Sequence, residues 1–131
     1  MMKFTIVVQG APYISEASHS ALHFARAVLA GGHEIYRVFF YNDGVLNGNT
    51  AIVAPQDEPN IGLAWTEFAV NENVELVVCI ASSLRRGLLD TTEASRYEKS
   101  AANLDKSIVI SGLGQLIDGT LVADRTITFG A

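Results

Sequence analysis

The chain is poorest in cysteine: one thiol, Cys79, in 131 residues. A lone cysteine excludes an internal disulfide and a tetrahedral zinc site built from several thiolates. Charge is also scarce, at 18% of residues, and the basic side is the thinner, with 9 Lys and Arg against 14 Asp and Glu and a net charge of -5. That balance lacks the basic footprint of direct nucleic-acid binding. No run approaches the roughly 18 to 20 apolar residues of a membrane span. The N-terminal segment from Met1 to Gly10 has only Lys3 ahead of its apolar run and no small-residue cleavage site, so it is read as a strand and not a signal peptide. A soluble, cytoplasmic protein without membrane contact is expected.

What the chain does have is apolar character, 49% of residues. This argues against disorder and exceeds what a lone domain of this size needs, so part of the excess is expected to be covered by partner chains. The length fits one domain, 1–131.

Phe4 to Gln9 is a continuous β-branched run ended by Gly10, Ala11 and Pro12, the pattern of a strand buried on both faces. Ser15 is a candidate N-cap for a helix carrying Ala21, Leu22, Ala25, Val28 and Leu29, stopped by Gly31 and Gly32. Ile35 to Tyr41 forms a second strand closed by the Asn42, Asp43, Gly44 turn. Asn47 to Asn60 is expected as a long surface loop, followed by a helix with Ile61, Ala64, Trp65, Phe68 and Ala69. Val74 to Ile80 is the third strand, with Cys79 almost at its carboxyl end. Asp90 and Glu93 have capping-box spacing for a helix through Tyr97. Ile108 to Ser111 and Thr126 to Phe129 are the remaining strands, separated by a Gly112, Leu113, Gly114 turn and a helix with Leu113, Leu116, Ile117 and Leu121 on one face. Alternation of this kind predicts an α/β three-layer sandwich: a mostly parallel sheet of about five strands with helices on both faces. Such sheets gather their chemistry beyond the carboxyl ends of the strands, where Cys79 falls.

Cys79 has two readings. Free cysteine commonly packs as a small hydrophobe. A thiol at a strand end, before a helix start and with Arg85 and Arg86 six and seven residues on, is also placed to become a nucleophilic thiolate. The arginines themselves read as solvated side chains, as partners of Asp90 and Glu93, or as cations near the thiol; adjacent helical positions diverge, so at most one of them faces Cys79. Ser82 and Ser83 either donate hydrogen bonds to an anionic sulfur or cap a helix. His19 and His23 have the spacing of a metal pair but lack a third ligand, and the Gly112 turn is only a fragment of a dinucleotide fingerprint, so neither a metal nor a cofactor is expected. A cysteine hydrolase needs a positioned base, and nothing in the spacing of His19, His23 and His33 requires their convergence on Cys79. Sulfur transfer requires only one accessible thiolate.

Three stretches resemble the TusD/DsrE family of sulfur-relay proteins: Gly32 to Gly44 with His33, Glu34, Arg37, Val38, Phe39, Phe40 and Tyr41; Val78 to Gly87 around Cys79, followed by Asp90, Thr92, Glu93 and Ala94; and Ile110 to Gly114 continuing to Ala123, Asp124 and Arg125. The resemblance covers essentially the whole chain. It implies a sulfurtransferase whose Cys79 accepts sulfane sulfur as a persulfide, with Ser82, Ser83, Arg85 and Arg86 supporting. It implies two homologous partner subunits of the TusB and TusC type (DsrF and DsrH in the other branch) in a dimer of heterotrimers, a TusA-like donor and a TusE-like (DsrC-like) acceptor. The resulting function is 2-thiolation of tRNA wobble uridine, with dissimilatory sulfur oxidation as the alternative branch. Ser82 and Ser83 depart from the alanines common in the family. Two competing expectations are a non-catalytic scaffold subunit with a core cysteine, and a flavodoxin-like small-ligand module.

Overall fold

Apolar β-branched runs and helical repeats alternate along the chain, and the computed structural model, which describes residues 1–130, shows the corresponding elements. These are β1 (Lys3–Val8), α1 (Ala17–Ala30), β2 (Glu34–Phe40), a 3-10 helix (Asn42–Gly48), α2 (Ile61–Glu72), β3 (Leu76–Cys79), α3 (Ile80–Arg85), α4 (Thr91–Arg96), β4 (Val109–Ser111), α5 (Gly114–Val122) and β5 (Arg125–Phe129). The five strands pair in the order β4-β3-β2-β1-β5, and every pairing is parallel. Successive crossovers step from β1 out to β4, and the connection carrying α5 then returns across the sheet to set β5 beside β1. Since parallel crossovers are right-handed, the reversal puts α5 on the face opposite α1 and α2.

Strand alternation divides the side chains between these layers. Phe4 meets Phe24 of α1 edge-on, and Phe40 meets Trp65 of α2 edge-on at 5.4 Å between ring centres. Trp65 is fully buried, and its indole N–H donates to the Ser18 carbonyl, so the core's largest side chain leaves no polar atom unpaired. On the other face, Thr5 donates to the Gly119 carbonyl at 2.9 Å, and a Cβ on Gly119 would come within 3.0 Å of Thr5. Glycine there lets α5 settle on β1.

α5 is held by a polar clamp. Register slips between Phe4 and Thr5, where β2 accommodates Tyr36 as an extra residue. The adjoining Arg37 is buried; it donates to Glu75, to the Gln115 carbonyl and to Asp118, while the Tyr36 hydroxyl donates to Asp118 at 2.7 Å. The Tyr36 hydrogen bond first, and Arg37 after it, hold the Asp118 carboxyl below its ordinary value of 3.8, against a smaller opposing effect of desolvation.

Several elements differ in detail from the sequence expectation. The sheet is parallel throughout. Glu16, not Ser15, is the N-cap of α1; Ser15 instead accepts from the Ala17 amide at 3.3 Å. The expected loop from Asn47 is preceded and entered by the 3-10 helix, because the chain turns through Asn42 in a left-handed conformation (φ 49°) and folds back on β1. Only half of the Asp90/Glu93 capping box forms: Asp90 accepts from the Glu93 amide, whereas the Glu93 carboxylate turns to Arg96.

Gly44 rests directly against the end of β1, where a Cβ would stand 2.0 Å from the Val8 carbonyl oxygen. Gly44→Ala is therefore expected to destabilise the chain by about 1–3 kcal/mol, seen as a lower urea midpoint at unchanged m-value. The Asp118 clamp has a defined pH sense. A carboxyl held below its unfolded value adds stability above 3.8 and loses it as pH falls through the lower folded value. Asp118→Asn should accordingly lower stability at neutral pH and flatten the acid limb of the stability–pH curve, measured by urea titration at several pH values.

Candidate functional site

β3 is central to the sheet and short, and its last residue is Cys79, which also serves as the N-cap of α3 with extended dihedrals (φ -64°, ψ 126°). Cys79 lies across from Ser111 of β4, and the preceding Val78 lies across from Phe40 of β2. β4 is thus paired up to the thiol and β2 up to the residue before it. The sulfur belongs to the carboxyl edge of the sheet, on the α5 side, and the residue is only 2% exposed.

The residues after Cys79 brace this turn. Ser82 is buried, and its hydroxyl accepts from the Asn42 amide at 3.1 Å, while its carbonyl accepts from Arg86. Arg86 also donates to Asp43 at 2.8 Å, so α3 is tied twice to the first residues of the 3-10 helix. Ser83 is fully buried, and its hydroxyl has no hydrogen-bond partner.

The candidate residues therefore separate. Cys79, Ser82 and Ser83 share the β3–α3 turn; Arg86 faces Asp43; Arg85 is exposed, with no carboxylate in ion-pair range among the described residues. Neither arginine pairs with Asp90 or Glu93: Asp90 caps α4, and Glu93 pairs with Arg96. Asn42 and Asp43, read from sequence only as turn formers, are the missed members of the site. The signal was their position at the carboxyl end of a strand beside β3.

Histidine has no part in this arrangement. His33 accepts from the Met2 amide at the amino end of the sheet, the end opposite Cys79. Among the described residues no group of three or more His, Cys, Asp or Glu is placed to hold a metal ion. No described helix is long and apolar enough to cross a membrane.

The model of the DsrE/DsrF-like family matches residues 2–129. The chain belongs to the DsrE/DsrF-like family. It is 46% identical over 129 residues to the DsrE protein of Allochromatium vinosum, covering 98% of this chain and 99% of that one. It is also 46% identical to a protein named sulfurtransferase TusD homolog in Pseudomonas aeruginosa, over 98% of both chains, and 41% identical to sulfurtransferase TusD of Salmonella enteritidis, over 98% of this chain and all of the other. The crystal structure of the YchN protein of E. coli superposes with a TM-score of 0.78 at 29% identity, covering 98% of this chain and 100% of that one. The α/β architecture with its parallel sheet is thus that of the family.

The two ties between α3 and the 3-10 helix keep the thiol turn closed. Asp43→Ala removes one, a partly exposed ion pair worth about 0.2–1 kcal/mol. It is expected to leave the melting temperature nearly unchanged while raising the rate at which a neutral aromatic disulfide titrates Cys79; an unchanged rate would show that the tie does not restrain the turn.

Proposed function

We propose that the protein is a sulfurtransferase subunit of a sulfur relay, with Cys79 as the carrier. The observation that carries this reading is the place of the chain's one thiol: the last residue of a central parallel strand and the N-cap of a helix, with a hydroxyl on each of the third and fourth residues beyond it. The relatives named sulfurtransferase support the same reading.

The chemistry needs no base of its own. The Cys79 thiolate attacks the outer sulfur of a donor persulfide, R–S–SH; a new S–S bond forms, the donor S–S bond breaks, and R–S⁻ leaves. Cys79 then holds the outer sulfur and its proton. Attack on that sulfur by an acceptor thiolate reverses the bookkeeping and returns Cys79 to the anion. In this reading Ser82 and Ser83, on the turn that follows Cys79, support the carrier. Arg86 has its charge occupied by Asp43 and donates to the Ser82 carbonyl, so it braces the turn after Cys79.

The donor in this reading is a TusA-like protein and the acceptor a TusE-like (DsrC-like) protein, in the cytoplasm, with the sulfur ending in 2-thiouridine at the wobble position of tRNA. The acidic chain reaches RNA only through those partners. TusB- and TusC-like (DsrF- and DsrH-like) subunits complete a dimer of heterotrimers. An apolar strip supports such an assembly: Val109 of β4 and Leu113, Ile117 and Leu121 along α5 are 46–80% exposed, on the face of the sheet that carries Cys79. A partner seated there would also border the thiol. The second reading, sulfur trafficking in dissimilatory sulfur oxidation, has its own support in DsrE, at the same 46% identity as the TusD homolog.

Incubated with a persulfide donor, the protein should gain the mass of one sulfur atom, removable by reductant and absent from Cys79→Ser. An unmodified Cys79 with a competent donor overturns the proposal. Cells carrying Cys79→Ser should lose 2-thiouridine, whereas a scaffold subunit with a core cysteine would keep it.

A further inference from the structure

Two helix ends meet beyond α3 and form an open groove of about 490 Å³ lined by Leu84, Arg85, Gly87, Leu89, Tyr97 and Lys99. Each wall is a helix C-terminus closed by the same pair of hydrogen bonds. At the end of α3 the Leu88 amide donates to the Ser83 carbonyl and the Gly87 amide to Leu84, with Gly87 left-handed at φ 72°. At the end of α4 the Lys99 amide donates to Ala94 and the Glu98 amide to Ser95, with Glu98 left-handed at φ 56°. Glycine takes the left-handed position freely in the first turn, whereas a glutamate holds it in the second. The first turn brings Leu84 and Leu89 to one groove. The second presents Tyr97, half exposed, and Lys99 opposite them.

The charge of this groove contrasts with the molecule. The chain carries -5 overall, yet Arg85, Arg86, Arg96 and Lys99 are four of its nine basic residues and fall within fifteen positions. Arg86 and Arg96 are engaged by Asp43 and Glu93, while Arg85 and Lys99, the two that line the groove, have no carboxylate within ion-pair distance among the described residues. No acidic side chain lines it.

We propose that this groove docks an acidic segment with apolar side chains from the protein that exchanges sulfur with Cys79. The proposal rests on the persulfide reading of Cys79 and adds the partner's point of attachment. Apolar side chains of the segment lie on Leu84, Leu89 and Tyr97, and its carboxylates meet Arg85 and Lys99. Elsewhere a negative partner is repelled by a negative chain, so its approach is steered to a groove where two unpaired cations, Arg85 and Lys99, stand beside apolar side chains with no acidic lining. From Cys79 to Arg85 the helix advances about 9 Å, a distance that about three residues of extended chain cover. A segment anchored in the groove therefore ends within a few residues of the turn that holds Cys79.

The probe is a short fluorescein-labelled peptide of alternating glutamate and leucine, with a lysine–leucine peptide as control, titrated with the full chain by fluorescence anisotropy. The glutamate peptide should bind, its affinity should fall with added salt, and Arg85→Glu and Lys99→Glu should each weaken it about tenfold, a loss of about 1.4 kcal/mol. Both side chains are exposed, so the variants should fold; their thermal melts verify it, and the milder Lys99→Gln substitutes if either does not. Equal binding of the two peptides, or binding that the charge reversals leave unchanged, overturns the proposal. So does concentration-dependent self-association abolished by Arg85→Glu, since the occupant would then be a second copy of this chain. The titration works equally on Cys79→Ser, so its outcome is separate from that of the persulfide test.

Discussion

The close approach of Gly44 to the Val8 carbonyl is the constraint on which the carboxyl edge of the sheet depends. A side chain at that position would hold the 3-10 helix away from β1. With glycine there, the chain leaving β2 folds flat across the strand ends and presents Asn42 and Asp43 to Ser82 and Arg86. Those contacts fix α3, and Cys79 is its N-cap. One missing methyl group in the 3-10 helix, where it meets β1, thus determines where a thiol on β3 comes to rest, through two hydrogen-bonded steps.

The sheet and its order of elements were legible in the sequence because parallel strands buried on both faces leave unbroken apolar runs, such as Ile6 to Val8 and Leu76 to Ile80. The position of Cys79 at a strand end followed from the same pattern. The brace around it did not. Asn42 and Asp43 have the residue types of any turn, and whether their polar groups serve solvent or a neighbouring helix depends on packing distant in sequence. Arg85 and Arg86 show the same limit: they are adjacent in the chain, yet one is drawn to Asp43 across a tertiary contact and the other is left at the rim of a groove. Ser15 missed its cap by one residue, a margin within which helix ends routinely fray.

The two faces of the sheet are covered unequally. α1 and α2 bury one face beneath Trp65, Phe40 and Leu22, whereas α5 alone lies on the other and is held by the Arg37, Tyr36 and Asp118 clamp. Hydrogen bonds to charged groups fix α5 in direction as well as in place, which apolar packing alone does less well. Ile117, Leu121 and Val122 of α5 remain exposed, and Cys79 lies toward the same side. The less covered face is therefore the one with chemistry to offer.

β4 is three residues long, and at the opposite edge β5 opens with Arg125. A parallel sheet of this size has two bare borders where another chain's backbone could add as a further strand, and such addition is open-ended. A border too short to template pairing, and another begun by a charge, discourage ribbon-like growth. Copies and relatives of the chain are thereby left to meet through side chains on helices, whose complementarity can close on itself and stop at a defined number of subunits.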